Sequence, residues 1–219
     1  MNEKLQACLF DLDGVIVDTA KYHFKAWSRL SEELVIPFDA ADNERLKGRS
    51  RVDSLEYILR KGSLVLDNDT KVKLMDRKNE WYLDQVKQMT PSELAPGVVE
   101  LMDELRAAGV KVGLGSSSRN APLILDLCGI SNRFDVVVDG NSITLSKPDP
   151  EVFLKGAETL GVPPSRTVVF EDAVSGVEAA INGGFQVVGV GSSDSLSQAD
   201  FVIADFEGFS MAELLSRLS

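Results

Sequence analysis

Ala7-Cys8-Leu9-Phe10-Asp11-Leu12-Asp13-Gly14 is a short, unbroken apolar run that stops at two aspartates and a glycine. Four apolar residues closed by a turn signal read as a strand buried on both faces, the kind used by parallel sheets. From Thr19 to about Met89 the period becomes helical. Phe24, Trp27, Leu30 and Leu34 form one stripe, Val52, Leu55 and Leu59 a second, and Val72, Met75, Tyr82 and Val86 a third, with no strand pattern among them. Beyond Pro91 and Pro96-Gly97 strands and helices alternate. Val98, Leu101, Met102 and Leu105 mark a helix stopped at Gly109, followed by a strand over 110–114 and a helix to Cys128-Gly129. A strand over 134–138, a helix over 150–160, a strand over 167–170 and a helix from Val174 to Gly183-Gly184 continue the series. Strands over 186–190 and 201–203 and a helix to Leu218 complete it. This alternation predicts an α/β fold: a Rossmann-like parallel-sheet core, residues 1–18 and 90–219, with a small all-α cap, residues 19–89, inserted after the first strand. Ligands of open parallel sheets sit at the carboxyl ends of the strands, so an insertion leaving there is placed as a lid.

The composition agrees with one such unit. The chain has 219 residues, 44% hydrophobic and 26% charged, enough to build a core. Asp+Glu 34 against Lys+Arg 23 leaves a net charge of -11, which excludes a sequence-independent grip on nucleic acid and disfavours an anionic membrane surface. No apolar run approaches the ~18–20 residues of a membrane span, and the start of the sequence lacks a basic–apolar–small secretory pattern. Cys8 and Cys128 lie among apolar residues and are expected to be buried free thiols, hence a cytoplasmic protein. A monomer is expected, with a small molecule rather than nucleic acid or membrane as partner.

The strand ends carry the chemistry. The first delivers Asp11 and Asp13, the second Ser116-Ser117-Ser118, the segment before a later helix Lys147-Pro148, and the fourth Glu171-Asp172. Asp and Ser are common at strand ends and helix caps singly; their concurrence at successive strand ends points to one site. Carboxylates alone repel a phosphate, so an acidic cluster beside phosphate-binding groups implies a divalent cation. Mg²⁺ suits one or two carboxylates with water and phosphate oxygen filling its octahedron. Asp11, the carbonyl of Asp13, and Asp172 fit the metal side. Lys147, the Ser116 hydroxyl and amides around Ser117 fit the phosphoryl oxygens. An aspartate can also be the nucleophile, dividing one hard step into two.

Leu9-Phe10-Asp11-Leu12-Asp13-Gly14-Val15, Gly115-Ser116, Lys147-Pro148 and Glu171-Asp172 resemble, in order and spacing, the four signature motifs of the haloacid dehalogenase superfamily. Asp18-Thr19-Ala20-Lys21-Tyr22-His23-Phe24-Lys25-Ala26-Trp27, Leu46-Lys47-Gly48-Arg49-Ser50-Arg51-Val52-Asp53-Ser54 and Arg77-Lys78-Asn79 resemble its β-phosphoglucomutase family, as do Ser116-Ser117-Ser118-Arg119-Asn120 and Ser146-Lys147-Pro148. The similarity runs from residue 5 to about residue 191. The chain departs from the family pattern at Arg49, where an uncharged residue is expected, and at Ser117, where alanine is usual.

The resemblance implies that Asp11 is the nucleophile and Asp13 the general acid/base. It also implies that Asp11, Asp13, Glu171 and Asp172 serve one Mg²⁺ per chain, that Ser116, Ser117 and Lys147 bind the transferring phosphoryl group, and that Thr19 belongs to the hinge and catalytic loop. His23, the sole histidine, would couple lid closure to acid/base positioning. Trp27, Lys47, Gly48, Arg51, Ser54, Lys78, Asn79, Ser118 and Asn120 would contact substrate, with the basic cluster Lys47, Arg49 and Arg51 offering a second phosphate site. The activity implied is a phosphosugar mutase interconverting β-D-glucose 1-phosphate and glucose 6-phosphate, through an aspartyl phosphate and a sugar 1,6-bisphosphate that also activates the enzyme. The alternative is a Mg²⁺-dependent sugar-phosphate phosphatase on the same core. A nucleotide-binding module is disfavoured: Gly113-Leu114-Gly115, read as a turn after a strand, lacks the third glycine of the dinucleotide fingerprint, its place taken by Ser118.

Overall fold

The structure, a computed structural model, describes residues 5–218. Among those residues six strands form one parallel sheet: β1 (Ala7–Phe10), β2 (Lys111–Gly115), β3 (Val136–Val138), β4 (Thr167–Glu171), β5 (Gln186–Val190) and β6 (Phe201–Ile203), in the order β3-β2-β1-β4-β5-β6. The chain winds outward from β1 to one edge, then returns to lay β4 on its other side. This makes the carboxyl ends of β1 and β4 a topological switch point.

Alternation along β1 divides the core. Cys8 and Phe10 join the cluster on one face, where Phe10 stacks on Phe170 at 4.7 Å; Ala7 and Leu9 join the cluster on the other, with Val169 and Phe153. β3 is shorter than the periodicity suggests because Asp135 meets β2 partly through its side chain. The Val112 amide donates to Asp135 Oδ2 at 2.8 Å. Gly113 lies inside β2 as the strand pattern predicts, and Gly115 ends the same strand rather than beginning a turn. A Cβ at Gly115 would come within 2.7 Å of the Phe153 ring, so these glycines make room for packing on the sheet.

Helices α1 (Ala20–Glu33), α2 (Ala40–Leu46), α3 (Arg51–Lys61) and α4 (Asn68–Val86) come between β1 and β2 along the chain. They enclose their own apolar cluster of Trp27, Leu30, Ile36, Leu46, Leu55, Ile58, Leu59 and Leu74. The short α2 has no apolar stripe to announce it. It is held by a capping box between Asp39 and Asp42 and by polar burial. Burial alone would raise the pKa of Asp42, but Lys61, the Asp39 amide and Tyr57 outweigh it and lower it to about 2. Val52 and Val72, expected in stripes, are about half exposed (48% and 50%) and line a cleft instead. The remaining helices, α5 (Val98–Ala107), α6 (Ala121–Leu127), α7 (Glu151–Leu160), α8 (Val174–Asn182) and α9 (Met211–Arg217), complete the core.

Candidate active site

β1 ends one residue before Asp11, and the Asp11 amide still donates to the Phe170 carbonyl of β4 at 3.0 Å, so the sheet itself aims this carboxylate into the switch-point crevice. The chain then folds tightly, Gly14 donating to Val17 O at 2.7 Å. Gly14 has φ +87, and a Cβ there would lie 2.1 Å from Asp172 Oδ2; glycine is required for the loop to meet the β4 carboxylates. Ser116 follows β2 and is buried, its hydroxyl accepting the Ser118 amide at 3.1 Å.

Lys147 is buried at the base of this arrangement. Its Nζ donates to Asp11 Oδ1 at 2.5 Å, Glu171 Oε1 at 2.7 Å and Gly115 O at 3.1 Å, which satisfies all three of its protons. Glu171 Oε2 accepts the Ala173 amide at 2.8 Å, so Glu171 is held from both sides. Oxygen atoms of Asp11, Glu171 and Asp172 all lie within 4.8 Å of one another. Burial, with added repulsion from Glu171 and other carboxylates, pushes Asp172 up to about 7 and Asp11 well above the usual carboxylate range, against the pull of Lys147 on Asp11. Burial would lower Lys147, but Asp11 and Glu171 outweigh it and raise it. Hard oxygen donors in carboxylate excess fit a divalent cation such as Mg²⁺, with Asp11 and Asp172 the carboxylates on the cleft lining.

The Asp13 side chain stands apart from that cluster. It accepts a short hydrogen bond from the Thr19 hydroxyl, and its Oδ1 is 3.9 Å from His23 Nε2. Burial raises its pKa, and Thr19 and Lys147 oppose the rise. His23 Nδ1 lies 2.9 Å from Lys78 Nζ, and that ammonium sits 4.6 Å from the Trp27 ring centroid and 4.7 Å from that of Tyr82. Burial first, and then neighbouring cations, lower both His23 and Lys78.

Helices α1–α4 close over the strand ends, leaving a cavity of about 630 Å³ between the two walls, a size common for ligand pockets. All the expected site residues line it except Thr19, Lys147 and Glu171, which are buried beside it. Lys47 Nζ reaches Asp172 Oδ2 at 3.1 Å; burial would lower Lys47, but Asp172 and Glu44 raise it. The Ser117 hydroxyl, the departure from alanine, donates to Gly48 O at 2.9 Å and the Ser175 hydroxyl to Lys47 O at 3.1 Å. Gly48 has φ +71, and a Cβ would lie 2.5 Å from Ser175 Oγ, so the approach of the walls depends on it. Asn79 Oδ1 accepts from both Arg51 NH2 at 2.8 Å and Asn120 Nδ2 at 3.0 Å, and Ser54 donates to Ser50 O at 2.9 Å.

Sequence reasoning missed Arg119, which lines the cleft near Arg51; burial and then Arg119 lower the Arg51 pKa. Its place between Ser118 and Asn120 was the available signal. Asp53 and Ser146 also line the cleft, and no charge or hydropathy pattern marks either one. The site thus has a carboxylate end and a guanidinium end, and the guanidinium groups of Arg49 and Arg119 bond to no side chain among the described residues.

A family model for haloacid dehalogenase-like hydrolases matches residues 5–184. A β-phosphoglucomutase of Bacillus subtilis is 44% identical over 201 residues, spanning 91% of this chain and 89% of its own. A phosphorylated carbohydrates phosphatase of Thermotoga maritima is 32% identical, with 83% of each chain covered. The crystal structure of a β-phosphoglucomutase from Clostridium difficile superposes with a TM-score of 0.94 at 35% identity, covering 97% of this chain and 96% of that one.

Proposed function

The chain belongs to the haloacid dehalogenase-like hydrolase family, and from that membership and the two-ended cleft we propose that it is a phosphosugar mutase interconverting β-D-glucose 1-phosphate and glucose 6-phosphate. The observation that carries this reading is the closed cleft itself. A phosphoryl-transfer end at Asp11 and an anion-binding end at Arg51 and Arg119 share one cavity, and a sugar bisphosphate needs both ends filled at once. Similarity to β-phosphoglucomutases over nearly the whole chain supports it.

In this reading an Asp11 carboxylate oxygen attacks phosphorus in line with the leaving sugar oxygen, forming the acyl-phosphate bond as the P–O(sugar) bond breaks. Asp13, whose pKa burial raises and whose carboxyl Thr19 steadies, gives a proton to that sugar oxygen. The phosphoryl group then passes to the free hydroxyl of a sugar monophosphate: that oxygen bonds phosphorus as the Asp11–P bond breaks, Asp13, now a carboxylate, takes the hydroxyl proton, and the bisphosphate formed turns round to offer its other phosphate to Asp11. Lys147, Ser116 and Ser117 hold the phosphoryl oxygens; His23, tied to Lys78, sets the Asp13 position from the cap side. Trp27, Gly48, Ser54, Asn79, Ser118 and Asn120 shape the sugar and distal-phosphate contacts, with Arg51 and Arg119 at the far phosphate; Lys47, expected with Arg49 and Arg51 at a second phosphate, lies instead at the carboxylate end against Asp172. Asp11, the Asp13 carbonyl, Glu171 and Asp172 would hold Mg²⁺, which would supply charge neutralisation between nucleophile and phosphoryl group. The cap, residues 19–89, keeps water from the aspartyl phosphate when shut. A sugar 1,6-bisphosphate primes the enzyme.

The second reading, a Mg²⁺-dependent sugar-phosphate phosphatase, has the Thermotoga relative in its favour. The two separate on one assay: β-glucose 1-phosphate with Mg²⁺ and catalytic 1,6-bisphosphate, following glucose 6-phosphate and free phosphate in parallel. Dominant isomer formation is expected; stoichiometric phosphate release contradicts the mutase. The free, buried Cys8 and Cys128 support a reducing cytoplasm. No helix among the described residues is long and apolar enough to cross a membrane.

A further inference from the structure

Most contacts between the two walls of the cleft use groups already assigned to the reaction: Lys47 with Asp172, Ser117 with Gly48, Asn120 with Asn79. Another joins groups outside it. The Ser146 hydroxyl, on the core, donates to Asp53 Oδ2, on α3, at 2.5 Å, across a sequence separation of 93. The same oxygen accepts the Ser50 hydroxyl at 2.5 Å, and Ser50 Oγ in turn accepts the Asp53 amide at 3.1 Å, capping α3. We propose that Asp53 and Ser146 are a positioning pair that latches the cleft shut while Asp11 carries its phosphoryl group, and so directs that group to sugar rather than water. This rests on the mutase reading above.

A bare carboxylate on the wall of an anion-binding cleft would repel substrate. The charge of Asp53 is absorbed by two hydroxyls and by the N-terminus of α3, where negative charge is favoured. On opening, Ser50 and the helix end travel with Asp53, whereas Ser146 stays with the core. The Ser146 bond therefore exists in the closed arrangement alone, and a contact made in one state shifts the population toward that state. Its ionised acceptor makes it stronger than a neutral pair. Position gives it further reach: Ser146 adjoins Lys147, which holds Asp11, and Asp53 lies two residues beyond Arg51 on α3. The bond thus ties the segment that seats the transferring phosphoryl group to the helix that seats the distal one.

The test compares wild type with Ser146→Ala, Ser146→Thr and Asp53→Asn at saturating β-glucose 1-phosphate and catalytic 1,6-bisphosphate. Ser146→Ala should raise the ratio of phosphate released to isomer formed about three- to tenfold. Asp53→Asn should fall between, Ser146→Thr should restore the wild-type ratio, and phosphoryl uptake from acetyl phosphate should be unchanged throughout. An unchanged ratio in Ser146→Ala, or a threonine variant behaving like alanine, overturns the proposal. Amide hydrogen exchange on residues 48–54 and 143–149 provides a readout independent of turnover. Faster exchange in both segments of Ser146→Ala, reversed in Ser146→Thr, is expected; equal exchange in wild type and Ser146→Ala overturns the latch. If wild type itself releases phosphate without isomerising, the mutase reading fails, and the exchange comparison still decides whether the latch exists.

Discussion

The ammonium of Lys147 lies 2.5 Å from Asp11 Oδ1, and both groups are buried at the carboxyl end of β1. A buried cation in contact with the proposed nucleophile has two consequences. It pulls against the burial that raises the Asp11 pKa, and it puts a positive charge where the proposed reaction gathers phosphoryl oxygens. Glu171 and Asp172 lie beside Asp11, and with it they put three carboxylates against the buried ammonium, an excess that fits a divalent cation.

Metal binding should therefore compete with a proton. Asp172 has its pKa pushed up to about 7, chiefly by burial and by Glu171. Below that value a proton must leave before a cation binds; above it the carboxylate is free. Mg²⁺ affinity measured by calorimetry should rise as pH increases through about 7, by up to about tenfold per pH unit on the acid side. An affinity flat across this range would contradict the assignment.

Thr19 hydrogen-bonds Asp13 and is fully buried. Replacing it with valine keeps the shape and removes the donor. Since that bond lowers the Asp13 pKa, its loss should raise it further and move the limb of the pH–rate profile that reports Asp13 to higher pH. Turnover should fall about 10- to 100-fold with little change in KM. A change confined to KM would assign Thr19 to substrate binding instead.

Arg51→Ala should raise KM for β-glucose 1-phosphate about 10- to 100-fold, the range for losing charged hydrogen bonds, while leaving acyl-phosphate formation from acetyl phosphate intact. Arg49→Met should have a smaller effect, because its side chain is exposed, where charged contacts are screened by water. Equal losses in both assays for Arg51→Ala would remove the distal-phosphate role.

The core offers a check of stability alone. Phe170 is buried and stacks on Phe10 beneath the site. Phe170→Ala should cost about 3–5 kcal/mol in denaturant unfolding, with the slope against denaturant unchanged. A loss below about 1 kcal/mol would mean that the sheet repacks around the vacancy.

Much of this was legible in the residue order. β1 was readable because an unbroken apolar run ending in Asp11 has few other solutions, and its partners because strands and helices alternate after Pro96. The placement of Asp11, Ser116 and Asp172 at strand ends, and of Lys147 just before α7, follows from that alternation. The helix α2 was not legible, since its stability comes from Asp39, Asp42 and their partners rather than from a stripe. Val52 and Val72 were misplaced because apolar residues on the lining of a closed cleft have the same spacing as core. The Asp53–Ser146 contact was invisible for a different reason: it depends on how closely two separate walls approach, which no local pattern encodes.

The central claim is that Asp11 carries the phosphoryl group. The most direct measurement is intact-protein and peptide mass spectrometry after brief exposure to acetyl phosphate and Mg²⁺, on wild type and on Asp11→Asn. The account predicts one added phosphoryl group, labile to hydroxylamine and mapped to Asp11, and no adduct or sugar-phosphate turnover in the variant. An adduct on another residue, or undiminished turnover by Asp11→Asn, would contradict it.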